Sequence, residues 1–315
     1  MKKEYNYDNL YLKPRKTIVN SRKECDTSVI LGNVKFSMPI IPANMMSVVD
    51  HETCMYLAKR GYFYIMHRFG VDISDFTRMM HDNYQIASIS VGVNDDSYTK
   101  IKEMRNYGID PEFITIDIAH CWCPKGERMI KFIKDNFPDS FLIAGNIATP
   151  EAVIDLENWG ADCTKLFVGP GKVCTTKLNT GFTRGTVNCL IECSEVAKKP
   201  VIADGGIREI GDIAKAISLG AHMVMAGSLF AGYDQSGGEI VEMNGHKYKE
   251  YFGSSTEQSK GKNEHIEGKK ILVDYKGDMD HFLTHAEESL KSSISYAGGK
   301  DLSALTLCEH FILSN

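Results

Sequence analysis

Cys174 lies in a short segment whose composition suits a reactive thiol. Residues 169–177 read Gly-Pro-Gly-Lys-Val-Cys-Thr-Thr-Lys. Glycines, hydroxyl residues and the lysines Lys172 and Lys177 therefore flank the cysteine in the sequence. A thiolate is a strong nucleophile, and nearby cations and exposed N–H groups favour it over the thiol. A lone cysteine in a loop is usually inert, but these neighbours together favour covalent chemistry at Cys174.

Two glycine-rich turns predict a phosphate site. Residues 204–207 read Asp-Gly-Gly-Ile, and residues 226–229 read Ala-Gly-Ser-Leu. Glycines let the backbone approach an anion, and N–H groups at the start of a helix point at it. The carboxylate of Asp204 could accept hydrogen bonds from a ribose diol. A nucleoside monophosphate therefore fits these turns better than free phosphate does.

The elements that must position these residues are eight short apolar runs, each followed by a stretch with helical periodicity. The runs cover residues 39–43, 62–66, 86–91, 113–118, 141–144, 163–168, 200–203 and 223–226. They lack the alternation of a half-exposed sheet, as is typical of parallel strands covered on both faces. The pattern predicts an α/β fold, a closed (β/α)8 TIM barrel, with an open doubly wound sheet as the alternative.

Polar residues and glycines follow the predicted strands. In parallel barrels the active site lies where the strands end, so the segment around Cys174 and both glycine-rich turns should meet at one rim. The other residues at these ends are Asn44, His67, Arg68, Gly92, Asp117, His120, Gly145 and Asn146. Any one of them could instead form a tight turn or cap a helix. That alternative explains less well why they all follow strands.

The composition argues against several classes of protein. A chain of 315 residues with 43% hydrophobic and 24% charged residues is typical of a soluble globular protein. Its net charge of −5 argues against a nucleic-acid binder, which usually has a basic face. No apolar run approaches the ~18 residues of a membrane span, and no apolar leader follows Met1. We therefore expect a cytoplasmic protein that binds neither nucleic acid nor membrane.

The cysteines do not indicate a disulfide framework or a metal centre. Nine cysteines, an odd number in a long chain, differ from the pattern of small secreted proteins. Cys121 and Cys123 form a Cys-x-Cys pair, but no second pair at zinc-like spacing accompanies them. The other cysteines, Cys174 excepted, lie in segments typical of a core.

Several segments resemble the inosine monophosphate dehydrogenase and guanosine monophosphate reductase superfamily. Besides residues 169–177 they are 42–45 (Pro-Ala-Asn-Met), 203–208 (Ala-Asp-Gly-Gly-Ile-Arg), 225–232 (Met-Ala-Gly-Ser-Leu-Phe-Ala-Gly), 249–255 (Lys-Glu-Tyr-Phe-Gly-Ser-Ser) and 293–299 (Ser-Ile-Ser-Tyr-Ala-Gly-Gly). They occur in the order of the family, and the similarity extends from residue 14 to near the C-terminus. The resemblance implies a barrel enzyme that acts on a purine nucleoside monophosphate.

The resemblance also implies a role for each matching residue. Cys174 would attack carbon 2 of the purine and form a covalent thioimidate, and Thr176 and Glu267 would protonate the departing ammonia. The nucleotide would be held by Asp204, Gly205, Gly206, Gly227, Ser228, Tyr251, Gly253 and Ser254.

A cofactor and a cation are implied in the same way. NADPH would lie against Asp117, Ile118, Ala119 and Asn146. The backbone carbonyls of Gly169 and Gly171 would hold a monovalent cation, potassium. The partners would be the small molecules GMP and IMP, together with further copies of the chain in a homotetramer.

Two features favour a reductase over a dehydrogenase. Dehydrogenases of this family usually carry regulatory repeats after the second strand, where residues 69–86 here form only a short link. They also hydrolyse the intermediate with an Arg-Tyr pair on a flap, whereas residues 254–270 contain neither residue type and include Glu267. We therefore expect reductive deamination of GMP to IMP. An IMP dehydrogenase without regulatory repeats, and a nucleotide-binding barrel without turnover, stay open as alternatives.

The resemblance implies one catalytic domain over residues 1–315, without a regulatory insertion. Within it, residues 234–270 would follow the eighth strand and form a β-hairpin and a mobile flap. The hairpin would turn at Asn244 and Gly245, a residue pair that favours tight turns.

Overall fold

The computed structural model describes residues 3–254, 256 and 268–313. Its β-strands are β1 (Leu10–Leu12), β2 (Val29–Leu31), β3 (Val34–Phe36), β4 (Ile40–Pro42), β5 (Ser88–Val91), β6 (Phe113–Asp117), β7 (Phe141–Ile147), β8 (Cys163–Leu166), β9 (Val201–Asp204), β10 (Met223–Ala226), β11 (Ile240–Met243), β12 (His246–Phe252), β13 (Lys270–Asp274) and β14 (His310–Ile312). Its α-helices are α1 (His51–Ala58), α2 (Ile73–Asp82), α3 (Asp95–Asn106), α4 (Pro124–Asn136), α5 (Pro150–Trp159), α6 (Thr176–Thr180), α7 (Thr186–Val196), α8 (Gly211–Ser218) and α9 (Met279–Tyr296). Short 3₁₀ helices cover Tyr7–Asn9, Arg22–Glu24 and Leu302–Leu307.

Strands β4 to β10 form one parallel sheet of seven strands, in the order β4-β10-β9-β8-β7-β6-β5. The register places Val224 opposite Ile40 and Ser88 opposite Phe113. Within this sheet, the strand that comes last in the sequence, β10, pairs with the strand that comes first, β4, which requires the sheet to curl back on itself. The fold is α/β, and this curled sheet is consistent with a TIM-barrel-like domain.

The predicted second strand, residues 62–66, is not formed. The backbone N–H of Met66 donates to the Ser88 carbonyl at 3.0 Å, but the Met66 carbonyl accepts from the Ser90 hydroxyl at 2.5 Å. The Ser90 hydroxyl thus takes the place of the backbone N–H that would bind the Met66 carbonyl in a β-ladder. The segment is nevertheless buried beside the sheet, where the Phe63 ring lies 4.8 Å from that of Phe113. The other seven predicted runs each overlap a strand of the sheet.

Capping residues fix where several helices begin. The side chains of Asp50, Asp72, Asn94 and Thr149 each accept a hydrogen bond from a backbone N–H in the first turn of the helix that follows. Pro150 adds a fixed φ at the first position of α5, where no donor is needed. Each strand consequently passes through a short polar connection before its helix starts, and these connections gather at the carboxyl ends of the strands.

The core has two parts because the sheet is covered on both faces. One cluster combines sheet residues such as Ile40 and Val224 with helix residues such as Leu57 and Ile130. The second combines sheet residues with the β2–β3 hairpin and contains none of the helix residues, so it fills the inner face. Its members include Val29, Phe36, Ile41, Phe63, Phe113, Ile143, Ile202 and Met223.

A separate antiparallel sheet of β11, β12 and β13 follows the parallel sheet in the chain. Asn244 and Gly245 connect β11 to β12 with φ values of 52° and 77°, as a tight hairpin turn requires. The predicted hairpin is therefore present. Most of the predicted flap, residues 255 and 257–267, lies outside the described residues. No helix within the described ranges has the length and apolar character needed to span a lipid bilayer.

Candidate active site

One pocket opens at the carboxyl ends of the parallel strands. It is lined by residues from the ends of β6 to β10, from the segment after β8 and from β12. Of the residues expected at a functional site, it brings together Cys174, Thr176, Asp204, Gly205, Gly227, Tyr251, Gly253, Ser254, Asp117, Ile118, Ala119, Asn146, Gly169 and Gly171. Residues far apart in the sequence meet here because parallel strands end at the same edge.

Three of the residues with an expected role are not among those that line this pocket, and neither are His67, Gly92, His120 and Gly145 from the predicted strand ends. Gly206 lies next to it with φ +75°, and a Cβ there would approach Thr186 to 3.0 Å. Ser228 follows Gly227, and its carbonyl accepts a hydrogen bond from the Lys276 ammonium at 3.3 Å. Glu267 lies outside the described residues.

The sulfur of Cys174 has a hydroxyl as its neighbour. Its Sγ lies 3.2 Å from the Oγ1 of Thr176, the first residue of α6. The backbone N–H of Cys174 donates to the Gly171 carbonyl at 3.1 Å and closes a tight turn. This turn pairs with the chain that leads into β13, because Cys174 lies opposite Gly268 and the Lys269 N–H donates to the Val173 carbonyl at 2.9 Å. The backbone of the loop that carries Cys174 is thus fixed both by its own turn and by the chain that leads into β13.

The two glycine-rich turns have backbones that need glycine. Gly205 has φ +99°, a conformation that residues with a Cβ rarely adopt. At Gly227 a Cβ would come closer than 3.0 Å to the Tyr251 hydroxyl and to 3.3 Å from the Met45 methyl. Tyr251 is only 3% exposed, and burial together with the charge of Asp204 raises the pKa of its phenol well above the ordinary value. The phenol therefore stays neutral beside Gly227.

A buried lysine connects three of the strand ends. The ammonium of Lys165 in β8 lies 3.2 Å from Asp117 Oδ1, 2.5 Å from Asp204 Oδ2 and 2.5 Å from Asn146 Oδ1. Asn146 Nδ2 donates to Asp204 Oδ2 at 2.9 Å, so one network spans β6 to β9. Burial lowers the pKa of Lys165, but the charges of Asp204 and Asp117 outweigh burial and hold it above the usual range.

Comparison with known proteins decides the family. A model of the IMP dehydrogenase / GMP reductase domain matches residues 4–314. The chain belongs to the IMP dehydrogenase / GMP reductase family. This confirms the resemblance seen in the sequence motifs.

Within the family, the chain is similar to proteins named GMP reductase. The protein of that name from Chromobacterium violaceum is 56% identical over 305 residues, which cover 97% of this chain and 96% of the relative. A GMP reductase from Oceanobacillus iheyensis is 51% identical over 318 residues, covering 100% and 97%. A third, from Acidovorax sp., is 52% identical over 311 residues, covering 98% and 96%. The likeness thus extends over nearly the whole of each chain.

In this member of the IMP dehydrogenase / GMP reductase family, the sequence analysis missed the role of Lys165. That residue lies in the apolar run 163–168, which was assigned to a strand in the core. The available signal was a lysine in the middle of an otherwise apolar strand, since lysine is almost never fully buried unless it is paired. Arg68 was predicted at the end of a strand, and it also lines the pocket. Its Nε donates to the Asp117 carbonyl at 3.1 Å.

The Cys121 and Cys123 pair has a structural explanation. The sulfur of Cys123 accepts from the Gly126 N–H at 3.4 Å and caps α4. Cys121 is fully buried, and this burial raises the pKa of its thiol to about 12. Over the described ranges, no group of three or more His, Cys, Asp or Glu side chains is arranged to hold a metal ion.

Proposed function

We propose that this protein reduces GMP to IMP and releases ammonia, with NADPH as the hydride donor. The contact between Cys174 Sγ and Thr176 Oγ1, at 3.2 Å inside the pocket, carries the proposal. A thiol beside a hydroxyl can add to an electrophilic carbon while the hydroxyl relays a proton. The similarity to proteins named GMP reductase supports the choice of substrate.

GMP would bind with its ribose at Asp204 and its phosphate at the two glycine-rich turns. Asp204 Oδ2 accepts the protein hydrogen bonds from Lys165 and Asn146, so Oδ1 is the oxygen available to the ribose hydroxyls. The phosphate would accept N–H groups of the turns and the phenol of Tyr251. This arrangement directs the base toward Cys174, which lines the same pocket.

The covalent step replaces a C–N bond with a C–S bond. The Cys174 thiolate attacks carbon 2 of the guanine and forms the C–S bond, and the amino group leaves with a proton as ammonia. Thr176 and Glu267 would deliver that proton. Gly268, which follows Glu267 in the sequence, lies opposite Cys174. General acid catalysis of this kind typically contributes about 10²–10⁴ in rate.

NADPH, when bound, would supply a hydride to carbon 2. Asp117, Ile118 and Ala119 form a partly exposed edge of the pocket beside Asn146, and this surface suits a flat ring with one polar group. These residues would hold the ring against the nucleotide. The C–S bond then breaks, its electron pair returns to Cys174, and IMP leaves.

The cation, assembly and architecture are proposed on the same basis. The Gly171 carbonyl already accepts one hydrogen bond from Cys174, so with Gly169 it would offer its second lone pair to potassium. We propose a barrel whose eighth place is filled by the buried segment 62–66 and not by a hydrogen-bonded strand, with a flap, acting as a homotetramer in the cytoplasm. Light scattering after gel filtration tests the tetramer, and activity after exchange of potassium for lithium tests the cation.

The decisive experiment follows the reduced-nicotinamide absorbance band in two directions. Purified protein is mixed with GMP and NADPH, and separately with IMP and NAD⁺. Loss of NADPH that requires GMP and yields ammonia and IMP supports the reductase. Reduction of NAD⁺ that requires IMP would move the assignment to a dehydrogenase. Nucleotide binding without either reaction would point to a non-catalytic barrel.

A further inference from the structure

Lys165 is charged and almost completely buried. Its side chain is 1% exposed and comes from β8, with Asn146 from β7 on one side and Asp204 from β9 on the other. Asp117 reaches it from β6, one strand further away. Removing a lysine from water is costly unless anions compensate for it. The three strand ends therefore depend on one cation.

The same cation separates two carboxylates. The Lys165 ammonium donates one hydrogen bond to an oxygen of Asp117 and one to an oxygen of Asp204. Without the cation between them, the two carboxylates would repel each other, because like charges in a shared site destabilise one another. An Asp204 carboxylate displaced by that repulsion would be a poorer acceptor for two ribose hydroxyls. The state of the nucleotide site is thus linked to a residue that touches no nucleotide in the proposed reaction.

We propose that Lys165 is a positioning residue that holds the Asp204 carboxylate aimed at the ribose, and that it makes GMP binding sensitive to Asp117 on the cofactor side of the pocket. The inference rests on the proposed function, since it takes GMP as the ligand. Lys165 acts here through two other side chains. It links the nucleotide half of the pocket to the cofactor half.

The surroundings of Asp204 contain few other groups that could take over this task. Arg68 binds the backbone carbonyl of Asp117 and not a carboxylate. Tyr251 is neutral and feels the charge of Asp204. The charged and titratable groups around the network include Arg68, Asp117, Cys121, Lys165, Asp204 and Tyr251.

The chain offers a matched control in Lys249. This lysine is 4% exposed, and its ammonium donates to the carbonyls of Tyr233, Asp234 and Ser236, none of which lines the pocket. Lys249→Met removes an equally buried ammonium and should lower stability. It leaves the two carboxylates of the pocket unchanged.

The experiment measures GMP affinity by calorimetry at pH 7 without cofactor and expresses each Kd relative to wild type. Lys165→Met should weaken GMP binding about tenfold or more, because the carboxylate of Asp204 loses the charge-assisted hydrogen bond that orients it and is repelled by Asp117. Lys165→Arg should recover most of the affinity.

A double variant tests the link to the cofactor side. Asp117→Asn in the Lys165→Met background removes the competing negative charge, so GMP should bind more tightly than to Lys165→Met alone. If Lys165→Met does not fold, the double variant is compared with wild type and should bind GMP more weakly, because Asp204 still lacks the ammonium that orients it. Lys249→Met should keep the GMP affinity of wild type.

Two results overturn the proposal. One is a Lys165→Met protein that is destabilised like Lys249→Met yet has a wild-type GMP affinity, which would leave Lys165 a structural role only. The other is a double variant that binds GMP no better than Lys165→Met. Failure of the proposed function looks different, because wild-type protein would then neither bind GMP nor consume NADPH with it.

Discussion

Gly227→Ala tests the geometry of the phosphate turn most directly. A Cβ at this position would lie closer than 3.0 Å to the Tyr251 hydroxyl, and 3.3 Å from both the Tyr251 ring and the Met45 methyl. Tyr251 is 3% exposed, so its phenol has no free space to retreat into. Either the phenol or the turn must shift. Both belong to the proposed phosphate site.

The cost follows from known effects of overpacking. An extra carbon forced into a packed site typically costs about 1–3 kcal/mol. For domains of roughly 150–250 residues, 1 kcal/mol lowers Tm by about 2–4 °C, and slightly less in a longer chain. Displacing the Tyr251 hydroxyl also removes one hydrogen bond to a charged ligand, about 1.5–3 kcal/mol, or roughly tenfold or more in GMP Kd.

Two further variants isolate the cause. Gly211→Ala is the control, because Gly211 begins α8 and a Cβ there meets nothing within 4 Å. It should be neutral or stabilising by up to about 1 kcal/mol. Tyr251→Phe removes the atom nearest to the new methyl group. Combined with Gly227→Ala, it should recover most of the lost stability while GMP affinity stays low.

The assay is urea unfolding with comparison of m-values, followed by calorimetric titration with GMP. Stability equal to wild type in Gly227→Ala would refute the packing argument. An equally large loss in Gly211→Ala would show that any alanine in place of glycine is harmful. A double variant no more stable than Gly227→Ala would exclude the Tyr251 hydroxyl as the source of the clash.

Three other changes have defined outcomes. Cys174→Ala should abolish GMP-dependent NADPH consumption and leave GMP binding intact, and loss of both would instead mark the cysteine as structural. Thr176→Val removes the hydroxyl beside the sulfur and should lower kcat by about 10²–10⁴, unless the proton comes entirely from elsewhere. Burial, and then the charge of His51, lowers the pKa of His67 from 6.5 to about 4. Between those pH values the unfolded chain binds more protons, so wild type should lose about 3 kcal/mol of stability as pH falls from 6.5 to 4. Unfolding free energies across this range should show a flatter profile for His67→Asn, and identical profiles would contradict this interpretation.

The sequence alone was sufficient to predict which residues meet at the pocket. Apolar runs located the strands, and parallel strands bring their carboxyl ends to one edge, so Asp117, Asn146 and Asp204 could be expected near Cys174 before any coordinates. Motif likeness gave the family, which the family model confirms. Glycine positions such as Gly205 were informative because few other residues adopt their backbone angles.

The sequence did not reveal how residues 62–66 or Lys165 are used. An apolar run shows that a segment is buried, but whether it forms a ladder depends on partners such as the Ser90 hydroxyl, which periodicity does not record. Lys165 meets carboxylates 39 and 48 residues away in the chain. Only the three-dimensional order of β6 to β9 shows that these charges converge. The role of Glu267 as a general acid stays a prediction, because this residue lies outside the described part of the chain.

The two ends of the segment that contains Glu267 lie side by side. A Cβ at Gly253 would be 3.9 Å from the Cα of Gly268, and the chain after Gly268 is hydrogen-bonded to the loop of the nucleophile. For a segment whose ends already meet, the entropy of closure grows only with the logarithm of its length, about 0.6 kcal/mol per doubling. Changes in length between Thr256 and Gly268 should therefore cost little stability and leave Cys174 in position. Evolution could then vary this segment, and with it the fate of the covalent intermediate, independently of the strands that bind the nucleotide.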